Sequence, residues 1–232
     1  MGSPAAPHRI AMTPGARRAL EAASRLFYER GIHAVGVDLI AAEAGVTKKT
    51  LYDRFGSKEQ LVVEYLAARD EGWRAFLAER LDTAGPSAAE RVLAVFDASR
   101  DWADEHSTRG CSMVNAHAEI SDPHHPAYAI ITGQKAWMLG LFTDLVREGA
   151  PEGEADPAPR PEDPEPEADP DLEAGPWPEA DPEPEADRAR AETLGRALML
   201  LHEGALVAHG LNVFPTPLHA AREQARLLLA AR

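Results

Sequence analysis

The chain has 232 residues, 44% of them apolar, enough for one or two domains with a real core. No apolar run approaches the roughly 20 residues that cross a bilayer, and Cys111, the only cysteine, leaves no disulfide within the chain, which suits the cytosol. The net charge of −14 argues against a nucleic-acid binder only until it is located: residues 150–188 hold fifteen acidic and two basic residues, whereas Met1–Gln60 holds nine basic and six acidic.

Met1–Met12 lacks the apolar middle of a signal peptide and reads as a flexible leader. Thr13 followed by Pro14 starts a first helix that runs to Arg30 and is ended by Gly31, with Leu20, Ala23 and Phe27 at helical spacing. The stretch Asp38–Lys58 reads as two short helices around a tight turn. Gly45 stands where a helix end wants a left-handed residue, Val46 plugs the turn, and Thr47 is placed to cap the next helix. Leu51 and Phe55 give that second helix one buried side, while Lys48, Lys49, Thr50, Tyr52 and Arg54 occupy the other. Two short helices joined by a glycine turn, the second basic, form the device that enters the DNA major groove.

Ser57, with Gln60 three residues on, starts a longer helix to about Arg80. Its apolar positions are Leu61, Tyr65, Leu66, Trp73, Phe76 and Leu77, and it is the natural lever between the head and the C-terminal part of the chain. Ser87–His106 is a fifth helix with Val92, Phe96, Ser99 and Ala103 on one stripe and Trp102 beside it. A short helix about Ser112–Ile120 precedes the breakers Pro123 and Pro126, and His124–Glu148 is long, with Ile130, Trp137, Met138, Leu141 and Leu145 inward. Pro151–Asp187 holds eleven of the nineteen prolines amid like charge and reads as an extended acidic insert. Arg188–Leu211 returns to helix with two stripes, Leu194–Leu198–Leu201–Ala205–Ala208 and Met199–His202–Leu206–His209. Pro217 opens a last helix with Leu218, Ala221, Ala225 and Leu228 on one face.

The run GVTKKTLYDRFGSKEQLV, with ALEAASRLFYERGIHAVGVDLIAAEAGV ahead of it, resembles the signature of the TetR family of bacterial transcriptional regulators, from about Thr13 to Leu66. One departure stands out: many relatives carry Thr-Thr or Thr-Ser before the first helix of the motif, and this chain has Val35-Gly36, which loses a side-chain phosphate contact. The resemblance implies an all-α fold. Its parts would be a helix-turn-helix head over residues 13–60, a helical effector-binding core over 61–149, the insert over 150–187, and dimerisation helices over 188–232. It further implies that Thr47, Tyr52 and Lys58 hold phosphates and that Lys49 stands where relatives vary. The last two helices resemble the pair through which two subunits of that family make a four-helix bundle; Leu194, Leu198, Leu201, Ala205, Leu218, Ala221, Ala225 and Leu228 are the candidate interface. RGCSMVNAHAE and LLHEGALVAHG resemble segments of some relatives in which a small molecule occupies a cavity between the central helices; Trp102, Met113, Asn115, His117, Trp137, Met138 and His202, large apolar walls plus a few polar groups, are the candidate ligand contacts.

These readings point to a cytoplasmic homodimer that binds a near-palindromic DNA operator and releases it when an unknown small-molecule effector binds. No nucleophile elbow, phosphate-cradling glycine loop or paired-carboxylate site outside the insert argues for an enzyme, and no cofactor or metal is expected. Two alternatives remain from the sequence. His106, His117, Glu119, His124, His125 and His202 could include the site of a metal-responsive regulator, although their spacing fits no established ligand template. The acidic insert could serve a scaffold that binds a basic partner.

Overall fold

A computed structural model describes residues 9–148 and 183–231; all but the C-terminal end of the acidic insert lies outside the described residues. Among the described residues the fold is all-helical: α1 (Pro14–Arg30), α2 (Val37–Ala44), α3 (Lys48–Phe55), α4 (Lys58–Asp82), α5 (Ala88–His106), α6 (Ser112–Glu119), α7 (Tyr128–Glu148), α8 (Glu183–Leu211) and α9 (Pro217–Ala230).

Local chemistry sets most of these boundaries. The hydroxyls of Thr13, Thr47, Ser57 and Ser87 each accept a backbone N–H in the first turn of the helix they precede, and Ser87 and Glu90 close a reciprocal capping box. Gly45 lies at φ 61°, ψ 39°, a conformation that costs a side-chain-bearing residue energy. There its N–H reaches Ala42 and that of Val46 reaches Ala41, so the last carbonyls of α2 are satisfied within two residues. Gly36 stands at the N-cap of α2, with no side chain to accept a first-turn N–H.

Two apolar clusters form, and α4 belongs to both. The first joins α1–α3 to the N-terminal half of α4, through Leu26, Phe27, Ile40, Leu51, Phe55 and Leu66. It also takes in Met113, Ala116 and Ile120 of α6 and Ile131 of α7, so the head packs on the following domain and does not stop at residue 60. The second is built from Trp73 and Leu77 of α4 with α5, α7, α8 and α9 around Phe96, Met138, Phe142 and Leu198. Helix α8 lies against α7 and α9, and α9 closes on α5.

Several sequence expectations change. Residues 9–12 are not a loose leader: Ile10 and Met12 pack against the head. Arg9 Nε reaches Glu64 at 2.8 Å, and the Ile10 N–H donates to the same carboxylate at 2.9 Å. Glu64 is fully buried, so these bonds replace the water it has lost. Helix α7 begins at Tyr128 instead of His124, because residues 122–128 close two turns. Its inward line is Ile131, Gln134, Met138, Phe142 and Leu145; Ile130, Trp137 and Leu141 flank it, half-buried. Helix α8 begins at Glu183, inside the stretch read as extended. Proline in a first turn needs no N–H partner there, and acidic residues suit a helix N-terminus.

Replacing Arg9 with Ala should leave the buried Glu64 carboxylate short of a donor and lower stability by about 1–3 kcal/mol. Denaturant unfolding of the two proteins checks this; an unchanged midpoint would mean that the Arg9 contact contributes nothing.

Candidate nucleic-acid interface and inner cavity

On α3 the structure places Lys48, Lys49, Tyr52 and Arg54 on the exposed side and buries Leu51 and Phe55 opposite. Thr47 accepts the Thr50 N–H at 3.1 Å, and the two hydroxyls lie 2.9 Å apart, so both side chains are held at the helix start. Tyr52 is a large ring left 46% exposed, an apolar cost that a partner surface would relieve. Each lysine has an acidic companion: Lys48 Nζ lies 3.0 Å from Asp38, and Lys49 Nζ lies 2.6 Å from Asp53. The Asp38 carboxylate holds the Lys48 ammonium above its ordinary pKa. Phosphates arriving at this face would therefore exchange with carboxylates already present. Lys58 opens α4. Its ammonium lies 5.9 Å from the centre of the Phe27 ring, and burial lowers its pKa against an opposing pull from Glu119.

Glu119, at the end of α6, ties the head to the helical core. One carboxylate oxygen accepts the Ile32 N–H at 2.9 Å, and the other accepts the His33 N–H at 2.7 Å, in the turn after α1. Gly31 makes room: a Cβ there would stand 3.1 Å from Glu119 Oε1, and its φ of 90° disfavours a side chain in any case. Burial would raise the Glu119 pKa, but the hydrogen bonds from His33 and Ile32 prevail and lower it. At the other end of the same helix, the Tyr28 hydroxyl accepts the Arg109 N–H at 2.8 Å and donates to the Gly110 carbonyl at 2.9 Å. Both ends of the α6 segment thus grip α1.

The N-terminus of α6 also lines an inner cavity of about 50 Å³ between α4, α5, α7 and α8. Trp73 and Trp102, edge to face at 5.8 Å, form apolar walls with Met113 and Leu206. Opposite them is a polar chain. Lys135 Nζ contacts Glu203 at 2.8 Å and Cys111 Sγ at 3.2 Å, and Glu203 lies 3.3 Å from His202 Nδ1. His202 Nε2 lies 2.8 Å from Ser99 Oγ, and the Ser99 hydroxyl also reaches the Val95 carbonyl at 2.7 Å. Burial would raise the Glu203 pKa, yet the His202 hydrogen bond and the Lys135 ammonium bring it down to about 2. For Lys135 burial would lower the value, but Cys111 and Glu203 hold it above normal.

Of the sequence candidates for a ligand site, Trp102, Met113 and His202 line this cavity. Met138 is buried behind it, its sulfur receiving the Trp73 indole N–H at 3.4 Å, and Trp137 stacks under Arg74 at 4.0 Å. Asn115 is exposed and bonds the Arg109 carbonyl, and His117 is exposed beside Tyr128. Sequence reasoning missed Arg69, Asp70, Gln134 and Lys135, which line the cavity from helix positions it left unassigned. Among the described residues no three His, Cys, Asp or Glu side chains gather as a metal site would require.

The candidate dimer residues divide. Leu198, Ala205, Leu218, Ala221 and Ala225 are buried in the chain's own core, where α8 meets α7 and α9. Leu194 and Leu201 are half-buried, and Leu228 is exposed. The two stripes read on α8 flank a single inward face. Its outward stripe is Leu200, Gly204, Val207 and Leu211, with Leu200 74% and Leu211 70% exposed.

Residues 19–65 match the sequence profile of the bacterial regulatory proteins of the tetR family. The chain is 33% identical over 104 residues to the HTH-type transcriptional activator FasR of Mycolicibacterium smegmatis, an alignment covering 45% of this chain and 47% of that protein. The chain thus spans about half the length of that relative. It is 29% identical over 148 residues to the HTH-type transcriptional repressor KstR2 of Mycobacterium tuberculosis, covering 62% of this chain and 72% of the relative. The crystal structure of a TetR-family transcriptional regulator from Streptomyces coelicolor superimposes with a TM-score of 0.68 at 29% identity, over 93% of this chain and 92% of that one.

Asp53→Asn should raise affinity for random duplex DNA by about two- to fivefold at low salt, the worth of one exposed ion pair. Fluorescence anisotropy checks it, and unchanged or weaker binding would separate Lys49 from the phosphate surface. Glu119→Gln should cost about 1–3 kcal/mol and speed hydrogen exchange at the Ile32 and His33 amides. Because the folded Glu119 pKa is lowered from 4.5, its contribution is complete above the ordinary carboxylate range. It is lost as pH falls through the lowered folded value, so the difference between the two proteins should vanish in acid. A difference that persists there would mean the carboxylate charge is not what holds the turn.

Proposed function

We propose, from the premise that this chain belongs to the TetR family of DNA-binding transcriptional regulators, that it acts as a homodimeric, ligand-released repressor on a near-palindromic operator. The observation that carries the reading is the exposed α3 face, whose cations and Tyr52 stand on a capped helix behind a Schellman-type turn. Lys48 and Lys49, at the helix start, are nearest the base edges; Thr47, Thr50, Tyr52 and Arg54 are placed for sugar and phosphate. Lys58 joins them as a phosphate contact where α4 begins.

One such helix covers only a few base pairs, so specificity requires two, spaced by about one DNA turn, roughly 34–36 Å. The outward stripe of α8 and the exposed Leu227 and Leu228 of α9 supply an apolar surface for a twofold partner. Gly204 sits in that stripe with open space where a Cβ would be, which suits close helix approach. Release comes from α6, which lines the cavity at one end and holds the turn after α1 at the other. A ligand that fits only when α6 has shifted would move the heads from the spacing DNA requires. The repressor sign is favoured by the longer alignment, to KstR2, over the shorter one, to FasR.

The test is paired. Leu200→Asp with Leu227→Asp should give a monomer at micromolar concentration by sedimentation and abolish operator binding, while unfolding cooperatively. A double variant that stays dimeric would place the interface elsewhere. A wild-type protein that is monomeric and indifferent to duplex DNA would end the proposal.

A further inference from the structure

Two residues that line the inner cavity each carry a buried hydrogen-bond acceptor that no described residue answers. Asp70 Oδ2 takes the Arg74 Nε–H at 2.9 Å, but Asp70 Oδ1 is buried and has no partner among the described residues. Gln134 is only 7% exposed, in the middle of the inward line of α7, and its Oε1 is likewise without a partner there. Both residues line the cavity. Buried polar groups are nearly always satisfied, so two orphans at one cavity mark a site built for something else to complete. The Gln134 amide can turn over and offer either end. An ionised Asp70 can only accept, so it decides the sign of the complement.

The cations nearby are already engaged. Lys135 is held by Glu203 and Cys111. Arg69 donates to Ser107 and to the His106 carbonyl and lies against the Tyr28 and Trp102 rings. A carboxylate entering here would bring an acceptor against the acceptor Asp70 Oδ1 with no proton between them, and Arg69, the lining cation without a carboxylate partner among the described residues, already directs its donors to Ser107, Ser112 and the His106 carbonyl. A space of about 50 Å³ admits a polar head of a few heavy atoms, and Trp73 and Trp102 offer flat apolar surface for the body behind it.

We propose that the cavity recognises a small molecule with an aromatic or apolar body and a hydrogen-bond-donating head, an alcohol, phenol or amine, and discriminates against carboxylates. This rests on the reading of the cavity as the effector site. The ligand head donates to Asp70 Oδ1, Gln134 turns to complete the contact, and the body parts the two tryptophans.

The test uses the whole 232-residue chain and four probes on one skeleton: 2-phenylethanol, 2-phenylethylamine, ethylbenzene and phenylacetate. Affinity is read by calorimetry, and operator affinity is measured in the same samples. The alcohol or the amine should bind about tenfold or more tightly than ethylbenzene, and phenylacetate no better than ethylbenzene. A lead by the amine marks a cationic ligand, and a lead by the alcohol marks a neutral one; both support the class. Asp70→Asn and Gln134→Met should each shrink the preference and leave ethylbenzene binding in place, so one folded variant suffices. Donor probes that bind in this order without weakening operator binding support the ligand class and contradict ligand release. Operator release by phenylacetate alone overturns the class and leaves ligand release standing. A preference that survives in both variants, or no binding by any probe, also overturns the proposal, the latter meaning that water alone completes Asp70 and Gln134.

Discussion

One uninterrupted helix, α4, belongs to two cores at once. Leu61, Val62, Tyr65 and Leu66 are packed with the head, and Trp73 and Leu77 with the helices behind it. Twenty-five residues at 1.5 Å each make a rod of about 37 Å with no break between those two allegiances. A displacement in the rear core cannot be absorbed by a loop, and the head must move with it or its own core must open. The Glu119 carboxylate supplies a second, polar tie between the same two bodies. Met113, Ala116 and Ile120 pack α6 into the head's core beside that tie, so α6 is joined to the head by apolar contact and by charge together.

The charge distribution belongs to the same picture. A strongly acidic chain presents a cationic helix whose two lysines pair with Asp38 and Asp53, so any phosphate arriving there would have to displace a carboxylate. Exposed ion pairs of this kind are weak. They restrain the side chains near their working positions at little energetic cost, and make indiscriminate binding to any anion less favourable than an unpaired lysine pair would.

The head was legible in the sequence because its determinants are local. Thr13, Thr47 and Ser57 each cap the next helix within three residues, and Gly45 answers carbonyls three and four residues back. What the sequence concealed lies at long range. Nothing near Glu64 announces that it is buried; its partners Arg9 and Ile10 come from a stretch with the composition of a loose leader. Glu119 is one more acidic residue beside histidines until the fold brings it to a turn 87 residues away. On α7 the polar Gln134 interrupts the inward line and shifts the apolar pattern to Trp137 and Leu141. On α8 two apolar-leaning stripes are visible, but sequence does not say which neighbour each one meets. Most residues of the expected intersubunit seam pack within the subunit, and the exposed leucines lie on a third side.

Selection of bound sequences from a random duplex pool tests the central claim most directly, because it reads the cationic helix and its duplication together. The account predicts an enriched site with two inverted half-sites whose centres lie about one helical turn apart, roughly 34–36 Å. Enrichment of a single unpaired half-site, or no enrichment above the starting pool at low salt, would contradict it.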